Sequence, residues 1–184
     1  CRYLLEMWKM FLKKGYVVKF LGDNFLHEEP YSTTLQQMGI EVLYGDDYAA
    51  GIWDWLKTNG DQINYAYLNR PHIAAKYVDY IKDYTKMKVI YYGHDLHFLR
   101  LGREYELTGD IHIKREADYW KSVELTMMHK AAVSYYPSYV EINAIHAIDG
   151  SIHAKAITAY VYDTFLSNIQ DDFAKREGLL FVGG

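Results

Sequence analysis

Apolar residues follow two alternating patterns along the chain, short continuous runs and longer segments in which they recur every three or four positions. The first segment, RYLLEMWKMFLKK at 2–14, has helical spacing with lysines opposite its apolar residues, and Gly15 ends it. The next, YVVKFL at 16–21, is an apolar run typical of a buried strand. The chain is therefore predicted to begin with a helix that leads into a strand.

The same alternation continues to the end of the chain. Ser32 is expected to cap one helix, and Pro71 suits the first turn of another, because its missing N–H would have no partner there. Strands that alternate with helices at this spacing are typical of βαβ units. The sequence therefore predicts an α/β fold with a Rossmann-like, doubly wound, mostly parallel sheet and helices on both faces, in three layers. Further strands are predicted at 40–44, 63–68, 88–92, 132–136 and 152–159, and further helices at 33–38, 49–58, 72–84, 114–131 and 138–147.

Composition narrows the class of protein. Half of the 184 residues are apolar, the net charge is −4 and lysines and arginines form no run, which argues against nucleic acid as a partner. The single cysteine, Cys1, excludes an internal disulfide framework and a Cys-x-x-Cys zinc site. No apolar run approaches the roughly 18–20 residues of a membrane-spanning helix. We therefore expect a cytoplasmic protein.

The densest group of chemically active side chains follows the strand predicted at 88–92. The stretch GHDLHFLR places His94, Asp95, His97 and Arg100 just beyond the carboxyl end of that strand, where open α/β sheets bind their ligands. Histidine is the natural general base near neutral pH, and a neighbouring carboxylate can fix its tautomer. Arginine can hold an anionic or hydroxyl-rich substrate. The alternative is that the aspartate only caps a helical turn and leaves the histidines exposed.

A metal site at His94, Asp95 and His97 is a minority interpretation. Their spacing differs from the i, i+4 histidine pair of a zincin helix. The acidic residues at 46–47 and the His-Glu-Glu at 27–29 both read as turns, so the sequence offers no obvious second group of ligands. We therefore expect no bound metal.

Other polar residues also fall at predicted carboxyl ends of strands. Asn69 and Arg70 follow the strand at 63–68 and are candidates for the same cleft, although a turn before the next proline explains them equally well. Ser138 opens a helix, where its hydroxyl either caps that helix or touches a ligand. Asp23 follows an earlier strand, but without a G-x-G-x-x-G motif a turn or cap explains it better than ribose binding.

Four segments, taken in order, resemble the N-terminal half of group 1 (family 4) glycosyltransferases, which are retaining enzymes of the GT-B fold. They are MWKMFLKKGYVVKFLGDNF, QMGIEVLYGDDY, DLHFLR and REGLLFVGG. The resemblance implies an N-terminal acceptor-side domain at 1–177, whose polar end at 168–177 suits a linker, and the start of a truncated donor-binding domain at 178–184. It also implies that a first strand and its glycine-rich loop would precede Cys1.

The function implied by the resemblance is the transfer of a sugar from a nucleotide-sugar donor to an acceptor hydroxyl. The acceptor would be a sugar, a lipid-linked molecule or a protein, and no metal or other cofactor is expected. His94 or His97 would line the reaction centre, with Asp95, Arg100, Asn69, Arg70 and Ser138 binding substrate. The isolated chain should be inactive without its donor-binding domain, and peripheral membrane contact stays open.

Two alternatives remain at this point. One is another nucleotide-sugar enzyme of the same architecture, such as a sugar 2-epimerase. The other is a non-catalytic α/β module that binds a ligand or acts as a receiver domain. A receiver should carry paired acids after its first strand and a late lysine, and of these features the chain offers only Asp95 after a middle strand.

Overall fold

The computed structural model describes residues 2–157 and Gly178, with side chains from residue 4 onward. The predicted linker at 168–177 and, apart from Gly178, the predicted start of a donor-binding domain at 178–184 lie outside the described residues. The elements are α1 (Arg2–Lys13), β1 (Lys19–Leu21), α2 (Tyr31–Gln37), β2 (Glu41–Leu43), α3 (Asp46–Asn59), β3 (Tyr65–Asn69), α4 (Pro71–Tyr84), β4 (Lys88–Tyr92), α5 (His97–Thr108), α6 (Ile111–Lys130), β5 (Val133–Tyr136), α7 (Tyr139–Ile148) and β6 (Ala154–Ala156).

The strands form two sheets, and every strand pair is parallel. β3, β4, β5 and β6 lie side by side in that order, and β1 pairs with β2 in a separate two-stranded sheet. Helices precede and follow the strands and flank the four-stranded sheet. The α/β prediction, with a Rossmann-like parallel sheet and helices on its faces, is therefore confirmed, although the sheet is divided in two.

The main core lies where the four-stranded sheet meets its helices. β4 is the continuous apolar run KVIYY, which suits a strand covered on both faces, and it buries Val89, Tyr91 and Tyr92. Helices α4 and α6 complete this core from outside the sheet, with residues such as Val78 and Met127 almost fully buried. The carboxyl ends of the central strands are thereby held on a closely packed body.

A smaller core joins the two-stranded sheet to its own helices. It is built around Leu35, Ile40 and Val42, with side chains of α1 packed against them. Neither β1 nor β3 contains a buried residue, unlike the other described strands. β1 pairs with β2 and β3 with β4, so each of these partly buried strands carries one edge that pairs with no described strand.

The two sheets are joined through the loop after β1. The carboxylate of Asp23 accepts hydrogen bonds from Lys76 Nζ at 2.7 Å and from the Tyr77 hydroxyl at 2.8 Å, both on α4. Leu21 and Phe25, on either side of this aspartate, pack against the main core. Because α4 begins at the carboxyl end of β3, these contacts tie the carboxyl end of β1 to the same edge of the molecule.

Several sequence predictions need correction at helix ends. Ser32 lies inside α2 and does not cap it: Pro30 is at the cap position, and the serine hydroxyl accepts a hydrogen bond from the Glu28 N–H at 3.0 Å. Helix α3 begins at Asp46, three residues earlier than predicted, because acidic residues suit a first turn. The charged stretch after Arg100 is also helical and forms most of α5.

Candidate functional site

The polar residues at the ends of β3 and β4 come together at one edge of the four-stranded sheet. Asn69 lies opposite Tyr92 in the parallel register, and the Arg70 N–H donates a hydrogen bond to the Tyr92 carbonyl at 3.2 Å. His94 follows two residues later. The structure thus places Asn69, Arg70 and His94 at neighbouring strand ends, as the sequence predicted.

His94 carries a buried nitrogen without a partner. Its Nε2 is inaccessible to solvent and has no hydrogen-bond partner among the described residues, and the same is true of Asn69 Oδ1. Burial lowers the pKa of His94, and the positive charge of Arg70 lowers it further. The imidazole is therefore neutral near neutral pH. Buried polar atoms without partners are uncommon, and here two of them lie at adjacent strand ends.

Arg70 has a strained backbone. Its φ of 66° and ψ of 139° are unusual for a residue other than glycine, and such strain costs of order 1–3 kcal/mol. The conformation is held on both sides, because the Arg70 N–H bonds to β4 and the Arg70 carbonyl accepts from the Ala74 N–H at 2.9 Å. Strain of this kind is concentrated at functional sites, and the arginine side chain is exposed at this one.

Gly93 allows the backbone to pass close to the aromatic ring of Tyr136. A Cβ atom at this position would lie 2.5 Å from ring carbon and hydroxyl oxygen of Tyr136, far inside contact distance. The Gly93 N–H also donates a hydrogen bond to the Tyr135 carbonyl at 3.1 Å. Burial raises the pKa of Tyr136 well above its ordinary value, so its hydroxyl stays protonated. The loop that carries His94 is therefore fixed at its start by β5.

His97 is occupied by a residue that sequence reasoning missed. Glu124 of α6 is fully buried, its Oε1 accepts a hydrogen bond from the His97 N–H at 3.0 Å, and the same oxygen lies 3.1 Å from His97 Nδ1, within hydrogen-bond distance. Its Oε2 accepts from the Phe98 N–H at 3.2 Å. The carboxylate thus caps the N-terminus of α5 from another helix. The imidazole also packs against the Trp120 ring, with centroids 5.0 Å apart.

A signal for Glu124 exists in the sequence. It lies three and four positions before Met127 and Met128, both buried, so all three share the apolar face of one helix. A glutamate on such a face is rarely buried unless it is paired. Burial raises the pKa of Glu124, while the N–H groups of His97 and Phe98 partly oppose that rise.

Asp95 does not cap α5, so the helix cap predicted for it by the alternative interpretation is wrong. Its Oδ2 instead pairs with Arg100 Nε at 3.2 Å, while its Oδ1 lies 3.9 Å from His97 Nδ1. Asp95 and Arg100 line an open groove of about 470 Å³ that also contacts Arg103 and Glu141. These two residues, both predicted to bind substrate, therefore pair with each other beside the histidines.

Ser138 caps α7, as one of its two interpretations predicted. Its Oγ accepts from the Val140 N–H at 3.2 Å, while its own N–H donates to Glu141 Oε2 at 3.1 Å, a reciprocal capping box. The hydroxyl also donates to the Glu141 carboxylate. Contact between this hydroxyl and a ligand stays a prediction, since its bonds are to its own helix.

Comparison of the chain with protein-family models, with curated proteins and with solved structures found no match. Within residues 2–157, histidine, cysteine, aspartate and glutamate side chains form no group of three or more that could hold a metal ion. None of the helices described is both long and apolar enough to cross a membrane. The functional assignment therefore depends on the geometry at the edge of the four-stranded sheet and on the resemblance of the four segments.

Proposed function

We propose that this chain is the acceptor-side domain of a group 1 glycosyltransferase of the GT-B fold, which moves a sugar from a nucleotide-sugar donor to an acceptor hydroxyl. The observation that carries the proposal is the buried, unpartnered Nε2 of His94 beside the unpartnered Oδ1 of Asn69. Both lie at the carboxyl edge of a parallel sheet, where such folds bind ligands.

The chemistry of these atoms fits a hydroxyl-rich ligand. Asn69 Oδ1 needs a hydrogen-bond donor, and His94 Nε2 can accept or donate according to its tautomer. A sugar hydroxyl can do both, so adjacent hydroxyls of one sugar can satisfy the two atoms. His94 is half-buried, and a turn of its ring about χ2, a soft torsion, would bring Nε2 to the ligand.

The charges at the same edge suit the leaving group. Arg70 is exposed and stands at the N-terminus of α4, where the helix field also favours negative charge. A nucleotide diphosphate released during transfer would be stabilised by such groups. The resemblance implies that the donor itself would be held mainly by a donor-binding domain.

The geometry favours different roles for the two histidines. His94 has the orphaned nitrogen and faces the polar ends of β3 and β4, whereas His97 Nδ1 is bonded to Glu124. We therefore assign contact with the reacting sugar or acceptor hydroxyl to His94, and anchoring of the loop to His97. The imidazole of His94, kept neutral by its environment, is suited to accept a proton or a hydrogen bond.

The test is a sugar-transfer assay on the intact gene product with a panel of nucleotide sugars and simple sugar acceptors. His94→Ala should lower kcat by about 100-fold, the lower end of general acid–base contributions. His112→Ala is the matched control, because His112 is exposed at the start of α6. Interconversion of the nucleotide sugar without an acceptor would favour the epimerase alternative. Binding without turnover, or full activity of His94→Ala, would contradict the proposal.

A further inference from the structure

Glu124 is a buried carboxylate with no part in the chemistry proposed above. A carboxylate is costly to bury unless its oxygens are hydrogen-bonded or paired. Here they accept the backbone N–H groups of His97 and Phe98 at the start of α5, and Oε1 also lies 3.1 Å from His97 Nδ1. Leu96, at the cap position, has no side chain able to cap the helix, so α5 takes its cap from a residue 27 positions away.

The cap also fixes the protonation of one histidine. A carboxylate only accepts hydrogen bonds, so a bond from His97 Nδ1 requires the proton to be on that nitrogen. The neutral ring then leaves Nε2 as its acceptor atom. Titratable groups near this pair are Asp95, from the loop, and Tyr91 and Tyr136, from β4 and β5, whose hydroxyl pKa values are raised by the charge of Glu124 as well as by burial.

The loop that carries His94 is held at both ends. At its start, Gly93 bonds to the Tyr135 carbonyl and lies against Tyr136, both on β5. At its far end, His97 is bonded to Glu124 through its backbone and its ring. The loop is short, so movement of its far end would displace His94.

We propose that Glu124 is a positioning residue, which holds His97 in the tautomer protonated on Nδ1 and thereby fixes the loop that presents His94. The assignment of an activity to this loop rests on the proposed function. The tautomer of His97 does not depend on the proposed function, so the tautomer can be measured whether or not the protein transfers a sugar.

The first test is the nitrogen NMR spectrum of the intact gene product labelled with ¹⁵N-histidine, with His97 assigned from the spectrum of His97→Gln. We expect the wild-type His97 to be protonated on Nδ1 at neutral pH. Glu124→Gln should move it to a mixture of tautomers, because the amide keeps one acceptor oxygen in place of two and its NH₂ group can donate to an unprotonated Nδ1. A wild-type His97 protonated on Nε2 would overturn the proposal, even if the variant failed to fold.

A matched control is Glu141→Gln. Glu141 also caps a helix, α7, but it bonds to Ser138 and not to His97. Glu141→Gln should leave the His97 tautomer unchanged. An equal change in Glu141→Gln and Glu124→Gln would contradict a specific role for Glu124.

Activity provides a separate measurement. If the intact protein transfers sugar, Glu124→Gln should lower kcat by about 10-fold with little change in KM, as for carboxylates that orient a histidine. Full activity of Glu124→Gln with a shifted His97 tautomer would overturn the link to His94. If no transfer is detected with any nucleotide sugar, the proposed function fails, while the NMR result still decides the tautomer.

Discussion

The two sheets of this protein are built differently. Among the described residues, the four-stranded sheet and its helices bury seventeen apolar residues in one core, whereas the two-stranded sheet is supported by three. The two atoms on which the proposed site rests, His94 Nε2 and Asn69 Oδ1, lie on the larger unit, at the ends of β3 and β4. The smaller unit is attached through α3, the apolar residues around Asp23 and that residue's bonds to α4.

This difference indicates that the larger unit supports the proposed site, whereas the smaller unit is only attached to it. A site that must hold several groups in fixed positions gains from a closely packed base, which the central strands provide. The smaller unit has a strand without a buried residue, β1, and a small core, which are properties of regions that open locally at low cost. Four predictions follow from this comparison, from the largest effect to the smallest.

Removing a large side chain from each core should have different consequences. Ile145→Ala, in the main core, should lower the free energy of unfolding by about 3 kcal/mol and speed amide hydrogen exchange throughout β4 and β5. Ile40→Ala, in the smaller core, should speed exchange mainly in β1 and β2. Hydrogen exchange followed by mass spectrometry measures both. Equal loss of protection in β4 from the two variants would show that the units unfold together.

Gly93→Ala should destabilise the site directly. The new methyl group would overlap the Tyr136 ring, and overpacking of this kind costs about 1–3 kcal/mol. Gly102→Ala in α5 is the control, because a Cβ there meets nothing within 4 Å and alanine favours a helix by about 0.5–1 kcal/mol. Urea denaturation compares the two. If Gly93→Ala left the free energy of unfolding unchanged, the glycine would not be needed for this contact.

Asp23→Asn should loosen the link between the units. Burial alone would raise the pKa of Asp23, but hydrogen bonds from Lys76 and Tyr77 outweigh it and hold the pKa below its ordinary value of 3.8. Its stabilisation is therefore present above that value and is lost as the pH falls through the lower, folded-state pKa. We expect the variant to lose about 1 kcal/mol at neutral pH.

The measurement for Asp23→Asn is the pH dependence of urea denaturation. The difference between the variant and the wild type should shrink in strong acid, where the wild-type carboxylate is also protonated. A difference that persists unchanged at low pH would mean that the asparagine disturbs packing and does not simply remove a charge.

His94→Gln should change the response to mild acid. Burial lowers the pKa of His94 below 6.5, so the folded protein binds a proton less readily than the unfolded chain. Wild-type stability should therefore fall as the pH drops from 6.5 towards the folded-state pKa, and it should fall less in the glutamine variant. Thermal unfolding between neutral and mildly acidic pH measures this. If the stability of both proteins fell equally with pH, the loss of stability in mild acid would come from a group other than His94.

Local features were predictable from the sequence where a single short segment determines them. β4 has the predicted bounds because an apolar run is closed sharply by Gly93, and Pro71 and Ser138 take their predicted places because helix ends select those residues. His94 and Asn69 were identified because the carboxyl ends of parallel strands meet at one edge.

Features that depend on distant contacts were not predictable in the same way. Glu124 caps α5 through His97, 27 positions away in the sequence. This contact forms because α6 packs against α5, which the local sequence does not show. The positive φ of Arg70 depends on bonds to β4 and α4, not on its own residue type. The division of the sheet likewise depends on strand order, which the local pattern does not specify.

The most direct test of the proposed site is the ¹⁵N-histidine NMR spectrum of the intact gene product during titration with nucleotide sugars and simple sugar acceptors. If His94 Nε2 takes a hydrogen bond from the ligand, its nitrogen signal should move on binding, while that of His97 Nδ1, already bonded to Glu124, should stay nearly constant. An unchanged His94 signal at saturating ligand would contradict the placement of the ligand at this edge.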